Sequence, residues 1–123
     1  VSGDDVPQAV ESMPLKAAEK EEMAERVQRG QVRLAWLTVW DTHAEDGDVL
    51  SFQVPGSPAI EVTALNAPTT IAVPYPANGE VLVTGVVDGG GGITVALKSG
   101  AAEIAWPTMQ PGQTLKLPVT PTF

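Results

Sequence analysis

The sequence predicts a mainly β domain: an antiparallel β-sandwich of about eight strands, jelly-roll or C2/Ig-like, preceded by one N-terminal α-helix. Three observations predict it. The composition changes at Gly30, from a charged segment of helix formers to a chain rich in Val, Thr, Ile, Gly and Pro. Beyond Gly30, short apolar runs alternate with turn residues about every ten positions. No helical stretch separates these runs, which argues against parallel βαβ units. The chain has 123 residues, the size of one domain. It divides into a flexible arm (1–12), an N-terminal helix (13–30) and the sandwich (31–123).

The arm, Val1 to Ser12, is polar. Ser12-Met13-Pro14 then reads as a helix start, because Ser is a good N-cap and Pro is tolerated in the first turn. Glu22 with Arg26 and Glu25 with Arg29 are i,i+4 pairs in the favourable order, and Gly30 suits the C′ position. Met13, Ala17, Met23, Ala24 and Val27 form a poor apolar stripe, interrupted by Lys16 and Lys20. Such a helix docks weakly, packs on a partner, or forms a stalk.

The strand candidates follow in order. Arg33–Trp40 is apolar on both faces and reads as a central strand. Asp48–Val54 and Ala59–Leu65 alternate, and Thr69–Val73 is a short run stopped by Pro74. Val81–Val87 follows an Asn78-Gly79 turn, and Gly92–Lys98 points Ile93, Val95 and Leu97 inward. Ala101–Trp106 follows Ser99-Gly100, and Thr114–Val119 points Leu115, Leu117 and Val119 inward. Prolines at the ends of these runs blunt edge-to-edge pairing.

Fifteen acids against seven bases leave a formal net charge of -8. That charge disfavours nucleic acid and anionic membrane surfaces. No apolar run approaches the ~18 residues of a spanning helix, so no membrane insertion is expected. The absence of cysteine excludes disulfides, Cys-based zinc sites and thiol catalysis. Val1 rather than Met opens the sequence, which leaves open removal of a leader, trimming, or cleavage from a longer chain.

The most informative stretch is Trp40-Asp41-Thr42-His43-Ala44-Glu45-Asp46-Gly47-Asp48. Four carboxylates packed this closely repel one another unless something neutralises them. Hard oxygen ligands in a loop with a turn glycine suit Ca²⁺. The candidate ligands are Asp41, Glu45, Asp46 and Asp48, with Asp88 as a fifth if the Asp88–Gly92 turn reaches the same end of the sandwich. The alternative is a solvated hairpin loop built on an Asp46-Gly47 turn.

The run W-D-x-x-x-E-D-G-D-V-L-S-F-x-V, from Trp40 to Val54, resembles a motif of uncharacterised bacterial secreted and lipoprotein β-sandwich modules. Pro55-Gly56-Ser57-Pro58 stands where those modules carry Asn-Gly, and the charged N-terminal helix is outside their pattern. The resemblance implies export, to an extracellular or periplasmic location, and a binding or structural role. It supplies no catalytic residues.

Other features bear on chemistry. Asp88-Gly89-Gly90-Gly91-Gly92 is not a phosphate loop, since no Gly-Lys-Ser/Thr and no helix follow; it reads as a flexible hairpin, or as glycines admitting a second backbone. His43 is the only histidine, and no Gly-x-Ser-x-Gly elbow accompanies it. Trp36 shares a face with Leu34 and is expected in the core. Trp40, Tyr75 and Trp106 are the candidate ligand or partner contacts, because they lie at strand ends or between prolines. The expectation is a non-enzymatic exported module that binds a protein partner or assembles with itself. The alternative is a calcium-stabilised module for a ligand such as carbohydrate.

Overall fold

A computed structural model describes residues 1–75 and 79–119. Pro76, beside Tyr75, and Asn78, of the expected Asn78-Gly79 turn, lie outside the described residues. Among the described residues the chain forms α-helices α1 (Val6–Ser12) and α2 (Ala17–Gln28), then eight strands. These are β1 (Leu34–Asp41), β2 (Val49–Gln53), β3 (Ile60–Thr63), β4 (Thr69–Pro74), β5 (Glu80–Val87), β6 (Val95–Ser99), β7 (Ala102–Ala105) and β8 (Thr114–Pro118). Each falls within one residue of its predicted run, except β3, which ends at Thr63 rather than Leu65, and β6, which begins at Val95 rather than Gly92.

The strands make two four-stranded antiparallel sheets, in the orders β4-β1-β6-β7 and β3-β2-β5-β8. The result is a β-sandwich. β1 is central, as its apolar faces require, with β4 and β6 on either side. The core lies between the sheets. Ala35, Leu37 and Val39 face it from β1, Leu50 and Phe52 from β2, Val81 and Val83 from β5, and Leu97 from β6. Ile93, Val95, Leu117 and Val119 are buried as their alternation predicts.

The helical segment differs from expectation. Residues 1–12 are not an arm: α1 packs on β4 and β1, burying Ala9, Val10 and, just after it, Met13. Nor does one helix begin at Met13. Proline disfavours the helical region for the residue before it, and Met13 is extended (φ -72, ψ 128), so α1 ends there. α2 starts four residues later, where the Glu19 carboxylate accepts the Lys16 N–H at 3.1 Å. Gly30 ends the helical segment with φ 71, and Gln31 N–H donates to Arg26 O at 2.9 Å, a Schellman closure. Arg29 pairs with Glu25 as the spacing predicts. Arg26 turns away from Glu22 and donates to Gly56 O at 3.1 Å, tying α2 to the loop after β2.

Ser12 shows how this segment protects the sandwich. β4 is an edge strand, and edge N–H groups invite pairing with another chain. The Ser12 hydroxyl donates to Ala9 O at 2.6 Å and accepts the Ala72 N–H at 3.0 Å, closing that edge with a side chain. Ser12→Ala leaves a fully buried residue's N–H without its acceptor. We expect a loss of about 1 kcal/mol, read as a lower urea midpoint at an unchanged slope.

Candidate metal centre

Two aspartates face the sandwich interior at one end. Asp41 is the last residue of β1, in phase with Leu37 and Val39, so its carboxylate follows them inward and is 3% exposed. Asp48 precedes β2 in phase with Leu50 and Phe52 and is 0% exposed. β1 and β2 belong to different sheets, so residues 42–48 are a crossover between sheets and not the hairpin loop of the alternative reading. Its Asp-Gly turn is real: Gly47 has φ 84, a value that favours glycine.

Carboxylate oxygens of Asp41, Asp46 and Asp48 lie within 4.8 Å of one another. This cluster can hold a metal ion. Asp41 Oδ1 accepts the His43 N–H at 2.9 Å, and Asp48 Oδ1 accepts the Gly89 N–H at 2.9 Å. The other oxygen of each, Asp41 Oδ2 and Asp48 Oδ2, is buried without a hydrogen-bond partner. Buried polar atoms are ordinarily paired, and an ionised oxygen left unpaired is costly. The Lys20–Glu11 and Arg29–Glu25 ion pairs lie in the helical segment, away from this charge. Burial accordingly pushes the Asp48 carboxyl above the usual carboxylate range. The Gly89 N–H and, less strongly, the Thr94 backbone pull the other way, and the Asp46 carboxylate adds to the rise.

The remaining predicted ligands are engaged elsewhere. Glu45 Oε1 accepts the Asn66 N–H at 2.8 Å. Asp88 closes its own turn, its Oδ1 accepting Gly90 N–H at 2.8 Å and Gly92 N–H at 3.2 Å. The Asp88–Gly92 turn does reach the same end of the sandwich, but it delivers Gly89 rather than the Asp88 carboxylate.

Two residues complete the site that sequence reasoning did not single out for it. A Cβ on Gly89 would stand 1.7 Å from Asp46 O, so only glycine lets this backbone lie against the acidic loop. That is the close approach the glycine run allows; the run is also a crossover, from β5 to β6, and not a hairpin. Asn66 Nδ2 donates to His43 O at 2.6 Å and Asp41 O at 3.3 Å, fixing the loop from the β3–β4 side. A lone Asn between two strands carries no sequence signal for that role.

The candidate contact aromatics divide. The Trp106 indole N–H donates to Met109 Sδ at 3.1 Å, and Met109 is fully buried, so Trp106 is built into the packing. Tyr75 is half-buried against the core; its N–H donates to Arg33 O at 2.7 Å. It lines a cleft of about 380 Å³ with Arg26 and Arg33. Trp40 is half-buried on the outer face of β1, in phase with Trp36 and Thr38. Trp36 is not the interior residue its neighbours suggest, because the inward phase of β1 is that of Ala35, Leu37 and Val39. It packs only at the margin of the core.

The chain matches no known protein family, curated protein or solved structure. The reading of the site therefore rests on its own geometry.

Proposed function

We propose that this chain is a calcium-stabilised, non-enzymatic β-sandwich module of an exported protein, acting through contacts with a partner or a second copy. The observation that carries the calcium is the pair of buried, unpartnered oxygens on Asp41 and Asp48, beside the Asp46 carboxylate. A cation there supplies both missing partners at once. It also joins the first sheet, through Asp41, to the second, through Asp48. Calcium bonds oxygen at about 2.3–2.6 Å and so spans ligand pairs up to about 5 Å apart, whereas magnesium at about 2.1 Å spans only about 4.2 Å. Oxygens that all lie within 4.8 Å of one another fall inside calcium's span, with water or backbone oxygens filling its shell.

Extracellular calcium modules work at about 0.1–1 mM dissociation constants, which fits a site with three protein carboxylates of which only Asp46 is exposed. The Trp40–Val54 resemblance supports export. A non-enzymatic role is supported by His43, which bonds the neighbouring Thr42 hydroxyl at 3.1 Å rather than a serine. Leu82 and Val86, exposed on the outer face of β5, suit a contact with a partner or a second copy.

The test is a thermal melt in EDTA, in millimolar calcium and in millimolar magnesium. Calcium at 100 times its dissociation constant is expected to add about 2.7 kcal/mol, a rise of several degrees in Tm. Magnesium is expected to add much less. Equal melting temperatures in EDTA and calcium would overturn the proposal.

A further inference from the structure

We propose that the outer face of the first sheet is a binding groove for a neutral saccharide chain, with the Trp40 indole as its platform. The groove, of about 450 Å³, is lined by Thr38, Trp40, Pro68, Thr70, Lys98 and Glu103 among others. That size is within the range of small-ligand sites, about 300–1,000 Å³.

The strand registers place the polar residues in a single row. Glu103 pairs with Lys98, Lys98 with Thr38, and Thr38 with Thr70, so one line crosses all four strands of the sheet. Along it stand a carboxylate, an ammonium and two hydroxyls. The Thr38 and Thr70 hydroxyls bond each other at 2.9 Å, which leaves further donor and acceptor capacity facing out. Lys98 and Glu103 are exposed and take part in no ion pair among the described residues. Donors and acceptors of both kinds, closely spaced and unspent, match a ring of hydroxyl groups.

Trp40 stands one step along β1 from this row, opposite Ala96, whose small side chain leaves the indole uncrowded. Unlike Trp36 and Trp106, it is not packed against the hydrophobic core, and its indole N–H has no partner among the described residues. A half-buried aromatic face that the core does not use, beside a hydrogen-bonding row, suits a sugar: apolar C–H face on the indole, hydroxyls on the row. The net charge of -8 disfavours anionic glycans, which leaves neutral ones.

This groove lies on the sheet's outer surface, whereas the cation site lies at the end between the sheets, so each can fail alone. The test uses the full chain, ¹⁵N-labelled, titrated with cellohexaose, xylohexaose, mannohexaose and chitohexaose, in EDTA and again in calcium. At least one sugar is expected to shift the Trp40 indole N–H resonance saturably and to leave that of Trp106 in place. Thr38→Val is expected to weaken that binding severalfold, and Trp40→Ala, followed through the backbone amides of Thr70 and Lys98, by about tenfold or more. The resonance reads the site directly, so the result does not depend on either variant folding. No saturable shift with any sugar, a shift confined to Trp106, or saturation by a decaproline peptide in place of the sugars would overturn the proposal. Loss of the calcium-dependent melt alone would overturn the cation site and leave this groove standing.

Discussion

Gly89→Ala is expected to cost about 3–5 kcal/mol and to abolish the calcium response. The added methyl would sit 1.7 Å from Asp46 O, inside a bond-like distance, and the obstacle is backbone rather than the end of a flexible side chain. The loop from Asp88 to Gly92 must therefore lift. Lifting it breaks the Gly89 N–H donation to Asp48 Oδ1, the larger of the backbone contributions that favour this buried carboxylate. Overpacking against a rigid neighbour costs about 1–3 kcal/mol, and loss of a hydrogen bond to a charged group about 1.5–3 kcal/mol. The neighbouring Gly91 is the control. It has open space around its Cβ position but φ 77, so Gly91→Ala incurs only left-handed strain of about 1–2 kcal/mol. It should keep its calcium-dependent Tm rise. Urea melts of both variants, with and without calcium, separate the two effects. A Gly89→Ala protein that still gains stability from calcium would show that the loop does not hold Asp48 in place.

This difference between neighbouring glycines marks where the sequence was legible and where it was not. All eight strands could be read, because alternation with period two is imposed by burial between two sheets and is written residue by residue. The acidic loop was legible as a place. Its membership was not: the inward phase of Asp41 and Asp48 follows from their strands, whereas Glu45 and Asp88 meet their partners only through contacts made in the fold. Gly89 is the extreme case, since four consecutive glycines look alike until one of them touches Asp46. α1 is hidden in the sequence for a different reason. Val6, Ala9, Val10 and Met13 stand at i, i+3, i+4 and i+7, which is a helical apolar stripe, but the acids and polar residues around them masked it. Pro14, which reads as a helix start in the sequence, acts instead as the stop between two helices.

Asp48→Asn is expected to reverse its effect with calcium. The amide keeps an oxygen for the Gly89 N–H and replaces the unpartnered Oδ2 with a donor that can face the Asp46 carboxylate. In EDTA near neutral pH the variant should therefore exceed the parent in stability, by about 1–3 kcal/mol, the cost of an unsatisfied buried group. In calcium the order inverts, because one of three charged ligands is gone and the added 2.7 kcal/mol or so is largely lost. The pH dependence has a definite sign. Burial raises the folded-state pKa of Asp48 above its unfolded value. Its contribution is then fully present below about pH 4 and is lost as pH rises through the higher folded value. In EDTA the parent and Asp48→Asn should be equally stable at low pH, where both side chains are neutral, and should diverge in favour of the variant as pH rises. Calcium requires the ionised carboxylate, so in its presence the parent gains on the variant over the same interval. Chemical denaturation of both proteins from pH 4 to 8, in EDTA and in calcium, gives four curves. A single sign of divergence in both media would mean that Asp48 does not meet the ion.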